Sequence, residues 1–349
     1  MKHKLLILVA AVSCSICINA QATSGSCGDN LQWSYNTSTG VLTITGTGNM
    51  THYAHYNDAP WYNYHKSIQS INLPDGLTHI SSYAFYECTN MTSVILPNSV
   101  ISIGDNAFDN CIGLTTLMYN IHVFAYCPRS YEGAYSIPYG VETIAGDAFS
   151  SCESLTYISI PNSVTSIGNG AFSYCSSLTS VTIPNSVNSI GDDAFLGCSS
   201  LTSICIPNSV KNIGDDAFLG CSSLTSVTLP NCVKKLGVEV FSGCYNLNSI
   251  SIPNSVTSID EYAFLNCSSL TSVTIPNSVK SIGNRAFAGC SSLTIITIPN
   301  SVTQIGYDAF SDCTSLKDFY YPANLDISEV GLPSTTRRNL VIYDSNNQP

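Results

Sequence analysis

Residues Ser177 to Cys198 read SLTSVTIPNSVNSIGDDAFLGC, and 23 residues later Ser200 to Cys221 read SLTSICIPNSVKNIGDDAFLGC. The same text returns with drift through Ser269 to Cys290. A fixed period of this kind marks stacked units that touch only their neighbours. The 349 residues are therefore one elongated domain rather than two globular ones. Phe85, Phe108, Phe149, Phe172, Phe195, Phe218, Phe241, Phe264, Phe287 and Phe310 hold one position of the repeat, each followed three residues later by Cys. The step is 23 residues except between Cys111 and Cys152, where it is 41.

Each position of the stretch has a physical reading. In Leu178 to Ile183, alternation turns Leu178, Val181 and Ile183 inward and Ser180 and Thr182 outward. Pro184 offers no amide and ends the strand. Val187 and Ile190 point back in. Asp192 is placed to cap a short helical turn in which Ala194 and Phe195 bury. Cys198 closes the coil as a small buried hydrophobe. A coil of this kind hides its apolar side only against the next one. The expected architecture is a one-sided parallel sheet with turns and short helical segments opposite.

Ahead of the repeats, Leu31 to Tyr35 and Val41 to Thr45 alternate apolar and polar and predict a β-hairpin. With Pro60-Trp61-Tyr62 it reads as the N-terminal cap. Lys2 and Lys4, the apolar run Leu5 to Val12 and Ala20-Gln21-Ala22 read as a signal peptide cleaved near Ala20 to Ala22, and hence as a secreted or cell-surface chain. A competing reading makes Ala11-Val12-Ser13-Cys14 a lipoprotein box with a lipid anchor on Cys14. The usual Leu is missing from its first position. The boundaries expected are 1–22 signal peptide, 23–66 cap, 67–321 solenoid of ten repeats plus a partial one, and 322–349 C-terminal cap and tail.

The pattern L-x-x-V-x-I-P-x-x-V-x-x-I-G-x-x-A-F-x-x-C, from about Ile68 to Tyr321, resembles the BspA-like leucine-rich repeat family. Cys27-Gly28-Asp29-Asn30-Leu31-x-Trp33, Gly46-Thr47-Gly48-x-Met50 and Pro60-Trp61 look like that family's opening segment. The resemblance implies an α/β leucine-rich-repeat solenoid and a surface or secreted protein of an anaerobic microbe. It also implies binding to host extracellular-matrix proteins such as fibronectin and fibrinogen, or to other microbes. It brings no catalytic residues and no cofactor.

Composition narrows the function classes. Lys and Arg number 12 against 23 acids, with a formal charge of −11, which argues against nucleic-acid partners. No later stretch is apolar enough to span a bilayer. No nucleophile–base pair, phosphate loop or paired acid site stands at motif spacing. His52 and His55 read as solvated loop residues rather than metal ligands. Asp192-Asp193 and Asp215-Asp216 are poor calcium sets. The ten repeat cysteines point inward in parallel, a geometry ill suited to disulfides, and read as buried thiols. Cys205 takes an outward place.

Two surfaces remain for a protein or glycan partner. The first is the sheet face, with Tyr157, Ser159, Ser180, Thr182, Ser203, Cys205, Ser226, Thr228, Ser249, Ser251, Ser272, Thr274 and Thr297 outward. The second is the insert at 119–136, where Val123 to Tyr126 suggests an extra strand. There Phe124, Tyr126, Arg129, Tyr131 and Tyr135 either grip a partner, as interface aromatics do, or pack back on the solenoid. The reading is a non-enzymatic adhesin, with a structural or self-associating spacer as the alternative.

Overall fold

The computed structural model describes residues 22–334, 336 and 340–343; the signal-peptide and Cys14 readings lie outside them. Three antiparallel strands open the chain: β1 (Ser24–Gly28), β2 (Leu31–Asn36) and β3 (Val41–Asn49). Gly46 makes the close approach of β2 and β3 feasible. Its φ is 106°, and a Cβ there would lie 1.9 Å from the Asn30 carbonyl oxygen. β3 then starts the solenoid. Its first half pairs in parallel with Ser70–Asn72 and its second half with Gly76–Ile80.

Those two pairings begin two series of parallel strands, interrupted at intervals along the stack, so the sheet is not one-sided. Ser180–Thr182 belongs to the first and Ser189–Ile190 to the second, with the Pro184-Asn185 corner between them. In both, most strands pair in parallel with their equivalents 23 residues on, as in Tyr157↔Ser180 and Ile167↔Ile190. The ladder pairing lapses between Ser180–Thr182 and Ser203–Cys205 and between Ser272–Thr274 and Ile295–Thr297 in the first, and between Asn212–Ile213 and Lys235–Leu236 in the second.

The third side is not helical. Apart from Thr336, the only helical backbone among the described residues is a 3₁₀ turn at Tyr62–Ser67. In the Ala-Phe segment two residues per coil take left-handed backbone, such as Asp193 (φ 55°) and Gly197 (φ 68°). This breaks any α-helical run. Alternate amides then leave their own coil. Asp193, Phe195 and Gly197 N–H donate to the carbonyls of Asp215, Ala217 and Leu219 at 2.9, 2.8 and 2.7 Å. Leu196 and Cys198 N–H close tight turns on Asp193 and Phe195 at 2.9 and 3.2 Å. All three sides of the prism are thus stitched coil to coil.

Asp192 does not cap a helix. Its Oδ1 accepts the Asp215 N–H at 2.9 Å, its own N–H donates to Asn169 Oδ1 at 2.9 Å, and Asp215 Oδ1 accepts the Val238 N–H at 3.1 Å. The residue after the glycine bridges equivalent positions of successive coils.

The core is a file of rings. From Phe124 to Phe310 neighbouring phenyl rings stack 4.5 to 5.6 Å apart with planes within 20° of parallel. Phe319 ends the file edge-on at 80°. At the other end Trp61 lies 5.6 Å over Phe85, nearly parallel, with Nε1 donating to Ala84 O at 2.7 Å. Beside the rings runs a file of thiols. Cys198 Sγ donates to Phe172 O at 3.1 Å and Cys221 Sγ to Phe195 O at 3.2 Å, a pattern kept through Cys313. Cysteine suits this place because it is small, apolar and still supplies one weak donor.

The 41-residue step is one coil of 18 residues followed by a normal one. Val123–Tyr126 forms the extra strand and turns back on Met118–Tyr119. It also joins the second ladder, with Phe124 paired to Ile144. The short coil contributes no strand to the first ladder, which stops at Ser93–Val94 and resumes at Gly133–Ser136. The ring file breaks there too. Phe108 belongs to one hydrophobic cluster and Phe124 to the next, and half-buried Ile103 packs against both.

Removing one ring from the file leaves a cavity between two others. Phe195→Ala is expected to lower unfolding free energy by about 3–5 kcal/mol, measured by urea titration followed by circular dichroism.

Candidate binding face

The first ladder presents its outward side chains in straight columns. Ser203, Ser226, Ser249 and Ser272 pair in succession, and Cys205 pairs with Thr228 and Ser251 with Thr274. Tyr157 and Ser159 pair with Ser180 and Thr182, and Thr297 with Tyr320. Every one of the sequence-predicted face residues is exposed except Ser159, which, like the neighbouring Tyr320, is half-buried. Alternation puts them there: Ile158, Val181, Ile204, Val227, Ile250, Val273 and Ile296 between them are buried.

Hydrogen bonding separates this face from the column beside it. Thr179, Thr202, Thr225 and Thr271 turn their hydroxyls onto the backbone one coil back, at 3.1, 3.4, 3.0 and 3.3 Å. The hydroxyls of Ser180, Thr182, Ser203, Ser226, Thr228, Ser272 and Thr274 have no protein partner among the described residues. In each Thr-Ser pair the first hydroxyl ties coils together, and the second is left for solvent or a ligand.

The corner asparagines extend the face. Thr182, Cys205 and Thr228 share a shallow groove of about 380 Å³ with Asn185, Asn208 and Asn231. Thr274 and Thr297 share another of about 480 Å³ with Asn254 and Asn277. The recurrence of asparagine directly after the proline was the available signal, since a turn tolerates several residues there.

The insert is a different matter. Phe124 and Tyr126 are buried, at 0% and 6% exposure, and cannot touch a partner. Phe124 fills the ring file and Tyr126 donates its hydroxyl to Cys111 O at 3.1 Å. Arg129 is held by Asp109 at 3.1 Å. Tyr131 and Tyr135 are half-buried, their rings 5.5 Å apart at 81°. The segment is a coil of the solenoid and not a projecting loop. Its exposed apolar groups are Tyr119 and Ile121; Ile95 (85% exposed) and Tyr139 lie outside it.

The titratable groups have structural settings. His52 and His55 are exposed, and Asp58 uses one carboxylate oxygen on the amides of Ala54 and His55 at 2.9 and 2.8 Å. Among the described residues no three His, Cys, Asp or Glu side chains converge to hold a metal ion. No helix there is long and apolar enough to cross a membrane. Burial pushes the thiols of Cys244 and Cys313 up to about 12. Among the described residues Cys205 alone is an exposed cysteine, and half-buried Cys232 donates its thiol to Val210 O at 3.0 Å. On the turn side, burial and then the carboxylate of Asp109 push Asp147 up to about 7, and burial and then Asp193 push Asp216 up to about 6.

The profile of the family described as BspA type leucine rich repeat region matches residues 59–136, 120–248 and 234–335. Two solved structures resemble the chain along nearly its whole length. A leucine-rich repeat protein from Eubacterium ventriosum is 26% identical, with a TM-score of 0.52, covering 88% of this chain and 98% of that one. A leucine rich cell surface protein from Faecalibacterium prausnitzii is 30% identical, with a TM-score of 0.50, covering 95% and 97%. No curated protein matches significantly.

Two measurements check the chemistry of these groups. Ellman's reagent on the native chain should modify Cys205 first, and Cys205→Ser should remove that fast phase. Denaturation should release all 14 thiols of the described residues. Stability should also fall as pH rises from about 4 to about 7. Raised carboxyls hold protons in the folded chain that the unfolded chain has already lost. Asp147→Asn should flatten that slope in thermal melts at pH 5 and pH 8.

Proposed function

The chain belongs to the BspA-type leucine-rich repeat family, and from that premise we propose a non-enzymatic binding protein of the cell surface that holds its partner on the first ladder. The observation that carries this reading is the array of exposed hydroxyls on that ladder's face from Ser180 to Thr274, all but that of Ser249 without a protein partner among the described residues, flanked by exposed asparagines. A rigid face with donors and acceptors at strand spacing offers the same contact repeatedly. Many weak contacts then sum, and little side-chain entropy is lost because Ser and Thr are short. A neutral, hydroxyl-rich lattice favours an extended peptide segment of a matrix protein or a glycan over a charged polymer. The outward location accords with the surface description of the Faecalibacterium relative.

A reading as a spacer that only associates with itself competes with this one. Pull-down of the purified chain on immobilised fibronectin, fibrinogen and glycans separates the two. Saturable binding is expected. It should be lost when Ser180, Thr182, Ser203 and Thr228 are replaced together by Lys, and retained when Tyr131 and Tyr135 become Ala. Self-association that grows with concentration, with no saturable binding to any partner, would overturn the adhesin in favour of the spacer.

A further inference from the structure

On the turn side, where the N-terminal strands meet the first coil, four tyrosines form a row. In the order Tyr62, Tyr56, Tyr86, Tyr83 their ring centroids lie 5.7, 6.0 and 5.9 Å apart, inclined at 68°, 53° and 78°. Tyr56 is 51% exposed and the other three are partly exposed. The hydroxyls of Tyr56, Tyr62 and Tyr83 have no protein partner among the described residues. The first coil is unusual in this. At the two positions of Tyr83 and Tyr86, the next coil has Asn106 and Asp109, and later ones Asp193 and Leu196 or Asp216 and Leu219. Tyr83 moreover holds left-handed backbone, φ 57°, a conformation that favours glycine or asparagine over a bulky ring.

We propose that this tyrosine row is a second binding site, for the pyranose rings of a neutral oligosaccharide. It goes beyond the sheet-face reading and stands on a different side of the prism. Aromatic faces carry negative charge, and the axial C–H bonds of a sugar present a positive, apolar patch that fits them. The sugar's rim of hydroxyls needs acceptors and donors beside the rings. Glu87 supplies a carboxylate, held loosely 4.0 Å from His65, and the three free phenol hydroxyls supply donors. Glu87 and Asp109 disfavour an acidic glycan by like charge. A proline-rich peptide, the other ligand of aromatic rows, docks in aromatic-lined grooves. Here neighbouring rings pack edge to face, and no slot opens between parallel rings.

The test uses the full purified chain and saturation-transfer NMR with β1,4-linked tetramers of glucose, galactose and N-acetylglucosamine. A sialylated tetramer and a polyproline decamer are the comparisons. Saturable binding of at least one neutral tetramer is expected, weakened about tenfold by Tyr56→Ala or Tyr86→Ala. The melting temperature of the exposed Tyr56→Ala variant should stay unchanged, and the fourfold Lys variant of the sheet face should bind the tetramer normally. The proposal is overturned by no saturable binding to any neutral tetramer, by binding indifferent to both substitutions, by loss with the sheet-face variant, or by preference for the sialylated or polyproline ligand.

Discussion

Every amide on the perimeter of a coil must find its carbonyl either within its own turn or one coil away, and that requirement governs the whole molecule. In the turn segment the choice alternates residue by residue: Phe195 reaches Ala217 while Cys198 closes back on Phe195. Because the distant partner lies at a fixed offset, coils must keep the same length wherever they stack. The ring file, the thiol file and the Asn/Asp bridges are all consequences of equivalent residues being held over one another. An isolated coil would bury none of these groups, so the fold exists only as a stack.

The one coil of different length shows what the constraint tolerates. Eighteen residues suffice to supply the second ladder through Val123–Tyr126, but not to supply a strand to the first. Asn120 repairs part of the gap, since its amide donates to Pro97 O and Val100 O at 2.8 and 2.7 Å and its oxygen accepts the amides of His122 and Val123. The apolar interior pays for the irregularity with a division into two clusters.

What the residues disclosed in advance was whatever repeats with a period. Leu178, Val181, Ile183, Val187, Ile190, Phe195 and Cys198 are all buried, and Ser180 and Thr182 face out, as alternation requires. The second ladder was hidden because Ser189–Ile190 is only two residues long, too short to show alternation. The helical expectation failed for a definite reason. Asp192-Asp193-Ala194-Phe195 has a capping residue and a helix-like apolar pair. The left-handed backbone of Asp193 and Gly197 breaks such a run, and that conformation is a property of the stack rather than of local propensity. Phe124 and Tyr126 were ambiguous because a ring in a filled coil and a ring on a loop have the same sequence. The unpartnered state of Ser180 against the tied Thr179 depends on the direction of a hydroxyl, which no spacing encodes.

The bridges from Asn169 through Asp192 and Asp215 to Val238 treat each coil as interchangeable with the next. A gene segment encoding one coil can therefore be lost or duplicated without disturbing the contacts inside any remaining coil. Each event would change the length of the molecule by about 4.8 Å and move one end relative to the other by a single increment. Selection acting on copy number would adjust the reach of the stack in fixed steps, with the surface chemistry of each coil left as it was.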